Sequence, residues 1–61
     1  MIVVCIDNDD FENFILHNRY EVIEESLYKG KEFFILRDEN GTLCVVHPSR
    51  FLKLREYNSY L

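Results

Sequence analysis

Four carboxylates fall within six consecutive positions, Asp7, Asp9, Asp10 and Glu12 of DNDDFE. Such density raises calcium first. A calcium loop sets oxygen ligands at alternate positions, turns on a mid-loop glycine and closes with a bidentate Glu at its twelfth position. No glycine stands there, and the twelfth position counted from Asp7 is Asn18. The stretch reads instead as an exposed acidic loop. Zinc would need Cys5, His17, Cys44 and His47, each from a separate stretch, with no close Cys or His pair. Cys44 and His47 are three apart, which on a strand points them to opposite faces. No metal and no cofactor is expected.

Nucleophilic catalysis would place a Cys or Ser beside a His and a carboxylate in a cleft. Both cysteines instead sit inside apolar runs, VVCI and LCVV, and read as small core hydrophobes. The chain is not expected to be an enzyme. Its chemistry then lies on its surface. The acidic loop, with Glu21, Glu24 and Glu25, can steer a basic protein partner. The contact residues expected are Asp9, Asp10 and Glu12, with Phe11 or Tyr28 as an aromatic anchor. The alternative is a nucleic-acid surface, in which Lys29, Lys31, Arg50, Lys53 and Arg55 gather on one side and Tyr28 stacks on a base. Charge opposes it: seven basic residues face eleven acidic ones, for a net −4. Phosphate binding runs on Lys and Arg.

These residues must be held by a small body. Sixty-one residues make one domain, 1–61, with a core over about 2–54 and a tail over 55–61. At this length the core is thin and net stability is a few kcal/mol at most. An apolar fraction of 48% with nine aromatics (five Phe, four Tyr) implies a packed globule. MIVVCIDNDD lacks the basic start of a secretory signal, and no apolar run is long enough to cross a bilayer, so an intracellular protein is expected.

Met1 to Ile6 is an apolar, β-branched run, as in a strand covered on both faces. DNDD ends it, and Phe11, Phe14 and Ile15 pack down the loop that follows. RYEVIEES alternates as a strand from Arg19 to Ser26. YKGK turns at Gly30, EFFILRD forms the next strand, and DENG predicts a two-residue turn with positive φ at Asn40 and Gly41. TLCVVH then pairs back. Both EFFIL and TLCVV are apolar on each face. Phe33, Phe34, Ile35, Leu43 and Val45 therefore either remain exposed as a patch, open to homodimerisation, or lie under Phe11, Phe14, Tyr57 and Tyr60. Pro48 cannot donate to a ladder, so the strand stops there. A 3₁₀ turn through Pro48, Ser49 and Arg50 returns Phe51 to the core and opens a last strand to Leu54. The pattern of EYNSYL leaves open whether that tail frays, pairs or forms a short helix.

Strand, long packed loop, three-stranded meander, 3₁₀ turn and short strand follow the order of an all-β, five-stranded SH3-like barrel. VVCIDN, ENFILHNRYEVIEE, FFILRDENG and VVHPSRFLKL resemble the small SH3-like proteins encoded by phages and prophages of Gram-positive bacteria. Those proteins share a short apolar strand, a loop ending in a Gly-Lys turn, a Tyr-x-Val strand, an Asn-Gly or Asp-Gly hairpin and a Pro-x-Arg-Phe corner. The resemblance runs from Ile2 to about Leu54. It departs at His17-Asn18, where Gly-Lys is common; Asn tolerates the left-handed region, so the turn is expected to survive. What the resemblance implies is a non-catalytic accessory protein, cytoplasmic in a bacterial host cell, that binds a host or phage protein. Recognition of polyproline is disfavoured, since the chain has no Trp and no Ala-Leu-Tyr-Asp-Tyr-like segment.

Overall fold

The computed structural model describes residues 1–60. Five strands form: β1 (Ile2–Cys5), β2 (Arg19–Tyr28), β3 (Lys31–Arg37), β4 (Leu43–Val46) and β5 (Phe51–Lys53). A 3₁₀ turn, Pro48–Arg50, precedes β5, and a short helix α1 (Leu54–Asn58) follows it. The strands make one antiparallel sheet in the order β4-β3-β2-β1-β5. Its two ends, β4 and β5, are not bonded to each other, so the ladder stops short of a closed ring. Among the described residues no helix is long and apolar enough to cross a membrane.

Val3, Val4 and Cys5 are buried, so the strand is covered on both faces at its centre, but Met1, Ile2 and Ile6 at the ends of the expected run are exposed. β1 sits between β2 and β5, pairing Val3 with Tyr20 on one side and with Lys53 on the other. β2 serves two ladders. Arg19 to Glu21 pair with β1, and Val22 onward pairs with β3, with the register slipping between Val22 and Glu24. That slip is a bulge at Ile23, and it ends the simple alternation that the sequence suggested. Tyr20 and Val22 point into the core, while Ile23, Glu24 and Glu25 are all exposed. β2 also runs two residues past Ser26, to Tyr28.

The two hairpins exchange the expected turn chemistry. The tight two-residue turn is Lys29-Gly30, both at positive φ (51° and 75°), directly joining the Tyr28–Lys31 pair. DENG does not form one. There the Asp38 N–H donates to the Thr42 carbonyl and the Gly41 N–H to the Asp38 carbonyl, leaving a three-residue loop. Only Gly41 (φ 80°) is left-handed, and Asn40 is not. A type I turn followed by a left-handed glycine is the next commonest way to close a hairpin. At the turn expected at His17-Asn18, similarly, the left-handed residue is His17 (φ 71°), not Asn18.

The proline corner folds as its sequence requires. Pro48 opens the 3₁₀ turn, and His47 Nδ1 accepts the Ser49 N–H at 3.1 Å. Phe51 leaves it extended and enters the core. There Phe14, Tyr20 and Phe51 meet edge to face, with centroids 5.0, 5.5 and 6.2 Å apart. Edge-on packing suits the ring quadrupoles. β5 ends at Lys53, one residue before the expected Leu54, which opens α1 instead. Tyr57 of α1 lies against His17, ring centroids 6.0 Å apart.

Candidate functional site

The acidic loop joins β1 to β2, and nearly every part of it is fastened. At its entrance the Asp9 N–H donates to Asp7 Oδ1 (3.0 Å), the local turn that an aspartate favours. The Phe11 N–H donates to the Asn8 carbonyl, and Asn8 Nδ2 reaches the Phe14 carbonyl at 3.2 Å. Arg50 closes the outside. Its guanidinium donates to the Asp9 carbonyl (2.8 Å), meets Asp7 Oδ1 at 3.4 Å, and lies 4.4 Å from the centre of the Phe11 ring. At the exit the His17 N–H donates to the Cys5 carbonyl, and the Cys5 N–H to the Asn18 carbonyl.

The middle of the loop is bound to the β3–β4 hairpin through two carboxylates. Asp38 is almost fully buried. Its Oδ1 accepts the N–H groups of Asn40 (2.8 Å) and Thr42 (2.9 Å), and its Oδ2 accepts Asn13 Nδ2 at 2.8 Å. The amide of Asn13, then the backbone donor of Thr42, hold the Asp38 carboxyl below its ordinary range. The Glu39 N–H donates to the Asn13 carbonyl. Glu39 Oε1 in turn accepts the Tyr20 hydroxyl (2.7 Å) and Asn18 Nδ2 (3.0 Å), and those donors hold its carboxyl down as well. The Tyr20 hydroxyl also accepts the Ile15 N–H at 2.8 Å.

On this fastened loop Asp9, Asp10 and Glu12 are exposed. None of the three makes an ion pair among the described residues, whereas Asp7 is engaged by Arg50. Asp10 is also left-handed (φ 65°), a conformation that aspartate tolerates better than most residues. The two aromatic candidates separate. Phe11 is half-buried, edge-on to Phe14 and under Arg50, so it belongs to the fastening. Tyr28 is well exposed, but it lies at the opposite end of β2 from the loop, beneath Lys29 Nζ at 5.3 Å from its ring centre.

No family model, curated protein or solved structure matches this chain.

Arg50 is spent on the acidic loop. Lys29 and Lys31 stand at the β2–β3 turn, and Lys53 lines a groove there with Glu25, Leu27 and Glu32. Lys53 and Arg55 flank a second groove beside Met1, Ile2 and Leu54. The two thiols are free, and burial pushes both upward in pKa, Asp38 adding to the effect at Cys44. Among the described residues no group of three or more His, Cys, Asp or Glu is placed to hold a metal. Sequence reasoning passed over Asn13, Asp38 and Glu39, which organise the site. The one local signal was the Asp at the head of DENG, a residue that commonly bonds the backbone two positions on.

Proposed function

We propose that this chain is a non-catalytic protein-interaction module that presents Asp9, Asp10 and Glu12 to a basic surface on a partner protein. One observation carries this reading: among the described residues those three exposed carboxylates have no cation partner, on a loop fixed by Arg50, Phe11, Asn8 and Asn13. A charged surface held in place before contact loses less entropy on binding than a mobile one. Its field also raises the rate of encounter with a basic partner. The architecture is an SH3-like barrel, and the order β4-β3-β2-β1-β5 with a 3₁₀ turn before β5 supports that assignment. The resemblance in sequence points to an accessory protein of a phage or prophage, acting on a host or phage protein in the bacterial cytoplasm.

The test is capture from a Gram-positive cell lysate by the tagged protein and by an Asp9→Lys, Asp10→Lys, Glu12→Lys variant that keeps its thermal transition. The expected result is a basic protein held by the native chain, released by salt and lost by the variant. A partner held equally by both proteins removes the acidic loop as the site. Recovery of nucleic acid alone, indifferent to the variant, transfers the function to the basic residues.

A further inference from the structure

The bulge at Ile23 decides which side chains the far half of β2 turns inward. Before it, the inward positions are Tyr20 and Val22, both buried. A strand without the bulge would continue that face with Glu24 and Ser26. With it, Glu25 stands opposite Phe34 and Leu27 opposite Glu32, and Phe34 is a core residue. Residues paired across two strands share a face, so Glu25, Leu27, Glu32 and Phe34 all lie on the inner one. The β2–β3 arm runs past the core there, for Leu27 is 70% exposed on the face that should be covered. Those four side chains and Lys53 of β5 line a groove of about 360 Å³. Glu25 and Glu32 are diagonal neighbours on the arm, so their like charges repel. Among the described residues neither carboxylate has an ion-pair partner, and Lys53 has none either.

We propose that this groove binds a free amino acid with an apolar side chain: Glu25 and Glu32 take its ammonium, Lys53 its carboxylate, and Leu27 and Phe34 its side chain. The charges select the class. An ammonium has three donors and no acceptor, so it can engage both carboxylates and remove their repulsion. Lys53 calls for an anion, which a simple amine does not supply. Neither end of a peptide supplies both charges, since an N-terminus brings only the ammonium and a C-terminus only the carboxylate. A free amino acid carries the two on one carbon. Its side chain then covers Leu27, which adds a hydrophobic gain. The groove is at the small end of those that hold small molecules, and it is open to water. Affinity in the millimolar range follows. Re-aiming side chains beside a ligand is a common use of a bulge. The site stands at the opposite end of β2 from the acidic loop, so either reading can fail without the other.

Amide spectra of the isotope-labelled protein, titrated with L-phenylalanine to about 50 mM, cover the affinities expected of the site. Saturable shifts should gather at Glu25, Leu27, Glu32, Phe34 and Lys53, with Asp9, Asp10 and Glu12 unmoved. Phenethylamine lacks the carboxylate and 3-phenylpropionate lacks the ammonium. Each should bind about threefold to tenfold more weakly, between the worth of an exposed ion pair and that of a charged hydrogen bond. Lys53→Gln should weaken phenylalanine to the level of phenethylamine and leave phenethylamine unchanged. Glu25→Gln with Glu32→Gln should weaken both and leave 3-phenylpropionate no weaker. All three positions are exposed, so the variants should keep the native thermal transition. No saturable shift overturns the site. Phenethylamine bound as tightly as phenylalanine also overturns it, and makes the groove a seat for a basic side chain of a partner. Lys53 also lines the groove beside Ile2 and Leu54. Shifts confined to Ile2, Leu54 and Arg55 put the ligand there and overturn the assignment.

Discussion

Replacing Tyr20 by Phe removes one oxygen and keeps the ring that packs on Phe14 and Phe51. That oxygen joins three segments: it accepts the Ile15 N–H of the first loop and donates to Glu39 of the β3–β4 hairpin, from a side chain on β2. The two losses are unequal. Glu39 is exposed and regains water, so its share is small. The Ile15 N–H loses its partner at the mouth of the core, and an amide stranded in this way costs about 1–3 kcal/mol. Tyr20→Phe should therefore destabilise by about 2 kcal/mol. For a domain of this size that lowers Tm by roughly 8–16 °C. Urea unfolding at neutral pH supplies the free energy, and alkaline titration followed at the phenolate absorbance supplies an independent check. Burial, then the neighbouring Glu39 carboxylate, pushes the Tyr20 phenol from 10.0 up to about 12. The folded state thus holds that proton more tightly than the unfolded chain does. The resulting stability is complete below pH 10 and is lost as pH rises through about 12. One tyrosine of the native protein should titrate near pH 12 and be missing from the variant. A stability change under about 0.5 kcal/mol, the usual scatter of surface substitutions, with the late titration still present in Tyr20→Phe, would refute the assignment of the hydroxyl as the joint.

Phe14→Ala empties the centre of the aromatic cluster and costs about 3–5 kcal/mol, which matches the whole stability of a domain this small. Its cooperative thermal transition, followed by circular dichroism, should vanish. Lys29 occupies the left-handed region without the tolerance of Asn (φ 51°), so Lys29→Asn should stabilise the fold by about 0.5–1 kcal/mol, read as a higher urea midpoint at unchanged slope. The carboxyls of Asp38 and Glu39 are held below their ordinary 3.8 and 4.5, so their contribution is present above those values and lost as pH falls through the lowered ones. Urea midpoints of the native protein and of Asp38→Asn should accordingly differ at pH 7 and converge in acid, below the ordinary carboxylate range.

Local chemistry made much of the architecture legible. A continuous apolar run with both faces buried, a proline that ends a strand, and an aromatic that re-enters the core are each decided within a few residues, at Val3 to Cys5, Pro48 and Phe51. The hairpins show where that reasoning stops. Asn40-Gly41 and Lys29-Gly30 can both make a tight turn, and the longer loop prevails at the first because Asp38 has Asn13 to bind. That partner lies 25 residues away in sequence. The bulge at Ile23 has the same origin, since it reconciles a β1 ladder with a β3 ladder on one strand. At the site, the exposed acids were legible from composition. Arg50 was not, because its sequence neighbours say nothing of Asp7 and Phe11, which only the fold brings beneath it.

β1 takes one of its two neighbours from the far side of the chain: Val3 faces Lys53, Val4 faces Leu52 and Cys5 faces Phe51. In folding, Val3 to Cys5 must wait for Phe51 to Lys53 before that side of the strand is covered. Contacts so distant in sequence slow the search for the native state. A chain that has made its β2–β3–β4 meander but not yet docked β5 therefore still displays an unsatisfied Val3-Val4-Cys5 edge. That intermediate is where another chain can pair with the segment before β5 does.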